Sequence, residues 1–161
     1  MRVNSQLLII VVSLFVIIGS GSVKAATIYT ITDVGTLGGP GSWAFGINNS
    51  GQVIGDAEIN NNGINHAFLY DNNVLKDIGT LGGWWSSASG INNSGQIVGY
   101  GSIVEYSPEH AFVYDGTAFK DIGTLGGNDS RATHINDNGQ VVGLSYIAGN
   151  MHLHAFMYDG T

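Results

Sequence analysis

The fold is decided by residues 77–116, DIGTLGGWWSSASGINNSGQIVGYGSIVEYSPEHAFVYDG, because this stretch occurs three times in tandem. Residues 33–72 and 121–160 align with it without a gap, at steps of 44 residues. In 19 of the 40 aligned columns all three copies carry the same residue. A fixed period of this length is typical of repeat architectures, in which each unit packs against its neighbours.

Each copy predicts four short β-strands. In the central copy the strands are expected at residues 86–92, 96–99, 110–114 and 119–123. Asn-Asn-Ser-Gly follows the first strand and Asp-Gly-Thr follows the third. Because Asn, Asp and Gly readily adopt the backbone conformations of tight turns, both sequences predict hairpins.

The composition supports this β interpretation. Glycine accounts for 25 of the 161 residues, and turns rich in Gly and Asn interrupt the chain too often for the helices of an α-solenoid. Four antiparallel strands in about 40–50 residues make one blade of a β-propeller. We therefore predict an all-β, propeller-like array of three 44-residue, four-stranded repeats, with a β-solenoid as the alternative.

The repeats define the domain organisation. Within residues 26–161 the units occupy about 33–76, 77–120 and 121–161, and residues 28–34 match the fourth strand of a unit. A propeller ring typically needs about 4–8 blades. Three units therefore predict a partial ring, a piece of a longer array, or half of a ring shared by two chains.

Residues 1–25 are predicted to be a secretory signal peptide. Arg2 precedes the apolar run 7–18, and small side chains follow before Ala25. The run is shorter than the ~20 residues that a membrane-spanning helix needs, so no membrane attachment is expected after cleavage. Since the chain has no cysteine for disulfides, we expect a secreted, extracellular or periplasmic bacterial protein.

The charge balance excludes some partners. Twelve acidic and five basic residues give a net charge of −7, which opposes binding to nucleic acid or an anionic membrane through bulk charge. The absence of cysteine excludes thiolate metal sites and cysteine nucleophiles. Carbohydrate, another exported protein and a second copy of this chain are the expected partners, and no cofactor is expected.

Three strings recur through residues 33–161: Asp-x-Gly-Thr-Leu-Gly-Gly, Ile-Asn-x-x-Gly-Gln-x-x-Gly and His-Ala-Phe-x-Tyr-Asp. In this combination the chain resembles the HAF-repeat family of extracellular bacterial proteins. The resemblance implies export and a repeated β architecture. It implies no catalytic residues and no defined biochemical activity.

Histidine and aspartate recur at fixed columns and invite a catalytic or metal-binding interpretation. One substrate needs one constellation of side chains, whereas these residues recur from unit to unit, so we expect structural His–Asp or His–Ser hydrogen bonds. The residues are His66, His110, His154, Asp33, Asp77 and Asp121. His134 and His152 are not repeated and lack the spacing of metal ligands, so no metal site and no catalytic residue is predicted.

The columns that differ between copies are the candidates for ligand binding. They lie in the loop between the second and third strands and directly after Gly-Thr-Leu-Gly-Gly, which a propeller blade presents on one face. Tryptophan beside Asn and Asp suits stacking on a sugar ring, although the same rings could fill gaps between units. The candidates are Trp43, Trp84, Trp85, Asn61, Tyr106, Asp129 and Arg131.

The sequence thus predicts an exported, non-enzymatic repeat protein that serves as a binding or structural module of the bacterial exterior. A lectin-like glycan binder that uses the variable loop face is one alternative. A propeller-type glycosidase or lyase is the other, and it would depend on acids that are not repeated, such as Glu105 and Glu109.

Overall fold

The computed structural model describes residues 29–160, whose regular structure is entirely β. The strands are β1 (Ser42–Ile47), β2 (Val53–Glu58), β3 (Asn65–Asp71), β4 (Val74–Gly79), β5 (Ser86–Ile91), β6 (Ile97–Ser102), β7 (Glu109–Tyr114), β8 (Phe119–Gly123), β9 (Gly126–Ile135), β10 (Val141–Ile147) and β11 (Leu153–Tyr158). Over this range the chain forms no helix with the length and hydropathy to cross a bilayer.

The strands form three antiparallel sheets that follow the sequence repeat. Their orders are β1-β2-β3-β4, β5-β6-β7-β8 and β11-β10-β9. The predicted four-stranded unit is thus confirmed for the first two copies, and three of its strands are present in the third. Each strand pairs with strands of its own unit through hairpins. This pairing contradicts the β-solenoid alternative, in which strands of successive coils pair in parallel.

The chain before residue 34 is a unit of its own. Of that unit the structure describes residues 29–33, which are exposed and carry no strand. The match of residues 28–34 to a fourth strand is therefore not realised as a strand in residues 29–34. The predicted signal peptide, residues 1–25, lies outside the described residues.

The first hairpin turn of each unit is built by its leading asparagine. The side-chain oxygen of Asn48 accepts hydrogen bonds from the backbone amides of Ser50 and Gln52, each at 3.1 Å. Gly51 follows with φ +79°, a left-handed conformation that side chains other than Gly rarely adopt. The same geometry recurs in the other two units, so the repeated Ile-Asn-x-x-Gly-Gln string encodes a turn.

The repeated Gly-Thr-Leu-Gly-Gly string links one sheet to the next. Gly83 donates a backbone hydrogen bond of 2.8 Å to Ser102 at the end of β6. A Cβ atom on Gly83 would lie 2.1 Å from the Ser102 hydroxyl oxygen, so only glycine fits this contact. The string is therefore a close crossing between sheets.

The three sheets pack in sequence order around two apolar cores. β5 lies against the first sheet, and β9 lies against the second. Alternate side chains of β6 and β7 belong to different cores, because successive residues of a strand point to opposite faces. The first core contains Ile54, Ala67, Ile78, Ala88, Ile97, Phe112 and Tyr114. The second core contains Val98, Ala111, Ala132 and Val141.

A ladder of turn residues joins the sheets at one end. The Asn48 side-chain amide donates to the backbone carbonyl of Asn92 at 3.1 Å, and Asn92 makes the same contact to Asn136 at 3.1 Å. The backbone amide of Asn93 donates to the Asp137 carboxylate at 2.9 Å, which lowers the pKa of Asp137. Equivalent turns are thereby stacked at steps of one repeat.

Candidate functional site

The repeated histidines are bound to the repeated aspartates. His66 Nδ1 lies 2.8 Å from Asp77 Oδ2, and His110 Nδ1 lies 2.7 Å from Asp121 Oδ2. The other carboxylate oxygen of each aspartate accepts the amide of the glycine two residues later, at 2.7 Å. The predicted His–Asp hydrogen bond is therefore confirmed in both units. His154 occupies the same column in β11, and Asp33 lies in the N-terminal unit.

The repeated serine makes a second link, this time between sheets. Ser86 is completely buried; its hydroxyl donates to the Gly79 carbonyl at 2.6 Å and accepts the Ala67 amide at 2.8 Å. Ser130 makes the equivalent pair of hydrogen bonds at 2.6 Å and 2.9 Å. These polar groups are satisfied within the protein, which is the behaviour of structural residues.

The histidine and carboxylate side chains of residues 29–160 are dispersed over the sheets. No three side chains of His, Asp or Glu come together there in an arrangement that could hold an ion. His134 lies in β9 and His152 precedes β11.

The non-repeated aromatic side chains meet at the loop between β6 and β7. The rings of Trp84 and Tyr106 are in edge contact, with centroids 4.6 Å apart. The indole nitrogen of Trp85 donates to the Tyr106 carbonyl at 3.1 Å, which holds the loop against the start of β5. Nearly half of the Trp84 side-chain surface, 47%, remains exposed. The loop is thus fixed while an aromatic surface stays available.

A polar cluster continues from this aromatic surface. The Trp85 ring stands edge-on to Tyr100 with centroids 5.7 Å apart, and the guanidinium of Arg131 lies 4.8 Å from the centre of the Tyr100 ring. Arg131 also forms an ion pair with Glu109, and this hydrogen bond raises the pKa of the guanidinium. Asp129 accepts the backbone amide of Glu109 at 3.0 Å.

Four of these side chains, those of Trp85, Tyr100, Glu109 and Arg131, line one open groove of about 360 Å³, which we call the variable groove. It is lined by Asp56, Gly63, Asn65, Trp85, Ser87, Tyr100, Glu109 and Arg131. The first unit contributes three of these residues, the second contributes four and the third contributes Arg131.

Two acceptors at the first-unit end of the groove are buried without a partner among the described residues. They are one carboxylate oxygen of Asp56 and the side-chain oxygen of Asn65. Burial raises the pKa of the Asp56 carboxyl, against the lowering effect of hydrogen bonds from Ser87 and Asn65. A buried acceptor without a donor is costly, so a ligand that brings a hydroxyl or amine group would stabilise this end of the groove.

The structure brings together five of the seven residues predicted to bind a ligand. Trp84, Trp85, Tyr106, Asp129 and Arg131 form the connected surface described above. Trp43 and Asn61 belong to the first unit and do not line the variable groove.

The sequence prediction missed Asp56, Asn65 and Tyr100 and left Glu109 without a defined place. Their columns vary as much as those of the predicted residues: Asp56, Tyr100 and Leu144 are equivalent, and so are Asn65, Glu109 and Leu153. Comparison of the columns of β2, β6 and β10 would have found Asp56 and Tyr100, and comparison of the first residues of β3, β7 and β11 would have found Asn65 and Glu109.

Comparison with known proteins gives a family but no activity. Residues 40–126 match the model of a family described as "Protein of unknown function (DUF3466)". This range includes the first two sheets and every residue of the variable groove except Arg131. No curated protein and no solved structure matches the chain. Since the family model spans more than half of the sequence, the protein belongs to the DUF3466 family.

Proposed function

We propose that this protein is an exported, non-enzymatic binding module of the bacterial exterior that holds carbohydrate in the variable groove. The observation that carries the proposal is the convergence of the non-repeated columns. Columns with structural contacts keep the same residue in every unit, as Ser86 and His110 do. Several of the columns that differ, including those of Asp56, Tyr100 and Arg131, meet at one groove, which is the arrangement of a constant scaffold with a specific site.

The chemistry of the groove suits a neutral sugar. The exposed indole of Trp84 and the half-buried indole of Trp85 offer flat apolar surfaces to the C–H faces of a pyranose, and the acceptors of Asp56 and Asn65 suit its hydroxyl groups. The Arg131–Glu109 pair supplies both a donor and an acceptor at the third-unit end. Because the chain carries a net charge of −7, a neutral glycan is favoured over an acidic one.

The proposed scaffold is a sector of a β-propeller. Two four-stranded antiparallel meanders and a third, three-stranded sheet are stacked face to face with a 44-residue period, which is the strand order and unit size of propeller blades. In this scaffold the loops between the second and third strands share one end, where the variable groove lies.

The test is affinity electrophoresis in gels that contain neutral β-glucan, chitin fragments or α-mannan. We expect the protein to be retarded by at least one polysaccharide. A double variant, Trp84→Ala with Trp85→Ala, should bind about tenfold more weakly, because stacked aromatic contacts contribute on the order of 1 kcal/mol each.

Trp43→Ala is the matched control. Trp43 and Trp84 expose 46% and 47% of their surface, but Trp84 contacts Tyr106, which is hydrogen-bonded to the groove residue Trp85, whereas Trp43 belongs to the first unit and does not line the groove, so removal of Trp43 should leave retardation unchanged. Unaltered retardation of the double variant, or equal weakening by Trp43→Ala, would reject the groove as the binding site. Release of shortened sugars during the assay would instead support the glycosidase or lyase alternative.

A further inference from the structure

The internal packing defines two faces for every sheet. We call the face toward the following sheet the front face and the face toward the preceding sheet the rear face. In the second sheet, Val98, Ala111 and Val113 lie on the front face, in the core shared with the third sheet. Ile97 and Phe112 lie on the rear face, in the core shared with the first sheet.

The front face of the third sheet repeats the same apolar surface but is uncovered. Val142 and Met157 are the equivalents of Val98 and Val113, and they expose 44% and 68% of their surface. Two neighbouring positions are also apolar in this unit: Leu144 and Leu153 stand where the first unit has Asp56 and Asn65, and both are exposed. This apolar surface is larger than a single exposed side chain, which points to an interaction site.

Part of the rear face of the first sheet is exposed as well, although Phe68, the equivalent of Phe112 on this face, is completely buried within the chain. Ala44 and Ile47 are the equivalents of Ala88 and Ile91, which pack in the first core, yet both are exposed, Ile47 by 68%. A front face and a rear face are complementary within this chain, because each internal core is made from one of each. The exposed part of the rear face of the first sheet is therefore complementary to the exposed front face of the third sheet.

The hydrogen bonds between the turns at Asn48, Asn92 and Asn136 also run from each unit to the following one. Each leading asparagine donates its side-chain amide to the carbonyl of the equivalent asparagine in the following unit. Continued by one step, this pattern would direct the amide of Asn136 to the carbonyl of Asn48 in another copy. Apolar and polar contacts thus specify the same neighbour.

We propose that the front face of the third sheet binds the rear face of the first sheet of a second copy, so that chains associate head to tail. This inference is independent of the proposed glycan binding. An interface of this kind is heterologous, and it forms a closed ring if the rotation between units closes. Two chains would contribute six sheets, within the range of about 4–8 known for propellers.

The test is light scattering of the full chain, produced with its own N-terminal segment, at concentrations from 1 to about 100 µM, the range in which interfaces of moderate affinity form. We expect a dimer; larger head-to-tail oligomers would equally support the interface. Val142→Glu on the front face and Ile47→Glu on the rear face should each weaken association at least tenfold. Val104→Glu, an exposed valine in the loop after β6, is the matched control and should associate like the unaltered chain.

Mixing the two variants distinguishes this interface from other modes of association. In a one-to-one mixture the intact front face of Ile47→Glu can meet the intact rear face of Val142→Glu, so a heterodimer should form although neither variant associates alone. A monomeric unaltered chain, or a mixture that stays monomeric, would overturn the proposal. Association that survives in both single variants would do the same and would place it outside these faces, for example in the N-terminal segment that all variants share.

Discussion

Individual polar side chains hold each sheet to its neighbour at defined points. The buried Ser86 hydroxyl connects the Ala67 amide of β3 with the Gly79 carbonyl at the end of β4, while Ser86 itself begins the following sheet. His66 and Asp77 connect β3 with β4 nearby. Each of these hydrogen bonds satisfies a group that would otherwise lose its water on folding, which explains why the same residue stands in every copy.

Replacement of His110 by alanine should lower stability by about 1 kcal/mol, because it removes the hydrogen bond to Asp121 and the packing of a largely buried ring. Urea denaturation of the variant and the unaltered chain measures this loss. His134→Ala, at an exposed and non-repeated position, is the control and should have little effect. If His110→Ala leaves stability unchanged but abolishes glycan binding, the structural interpretation of the repeated histidines is wrong.

At the scale of elements, the conformation of each hairpin is determined by the few residues of its turn. In the turn between β7 and β8, the carboxylate of Asp115 accepts the amides of Thr117 and Ala118 at 2.8 and 2.9 Å and the Thr117 hydroxyl at 2.7 Å. Hydrogen bonds from Ala118 and Thr117 lower the pKa of Asp115 to about 2, from an ordinary value of 3.8. The ionised form of this side chain is therefore the one that stabilises the turn.

A pH series tests this element. Because the folded-state pKa of Asp115 is lowered, its contribution is fully present above pH ~4–5 and is lost as the pH falls toward 2. We expect Asp115→Asn to be less stable than the unaltered chain at pH 6, with the difference between their urea midpoints shrinking as the pH falls to about 2.5. A difference that stays constant over this range would show that the charge of Asp115 does not stabilise the turn.

At the scale of the whole molecule, the second sheet differs from the other two because both of its faces are covered. Its strands contribute to both apolar cores, whereas the rear face of the first sheet and the front face of the third carry exposed apolar side chains. In stacked repeats stability depends on the interfaces of each unit, so the unit with two interfaces opens least often.

Native-state hydrogen exchange should show this difference in stability between the second sheet and the other two when three equivalent strands are compared. Measured at a concentration where the chain is monomeric, the amides of β6 should exchange about tenfold or more slowly than those of β2 and β10. All three strands are second strands with a partner on each side, so differences in hydrogen bonding are minimised. Equal protection in the three strands would show that the array opens as one cooperative unit.

Features that depend on contacts between residues close in the chain can be predicted from the sequence, whereas features that depend on contacts between sheets cannot. The sequence alone predicted the 44-residue period, the all-β class, the hairpin turns and a structural hydrogen bond of each repeated histidine to Asp or Ser, because those features depend on residues close in the chain and are repeated three times. It also indicated Trp84, Trp85 and Arg131, whose columns differ between copies.

Only the tertiary structure decided which of the differing columns meet. Asp56, Tyr100 and Arg131 belong to three units and come together because the sheets stack, and Trp43, equally variable, stays outside that groove. The tertiary structure also shows that residues 29–34, despite their match to a fourth strand, carry no strand, and that apolar side chains on the outer faces of the first and third sheets are exposed. These outcomes depend on contacts between units, for which the pattern within a single unit contains no information.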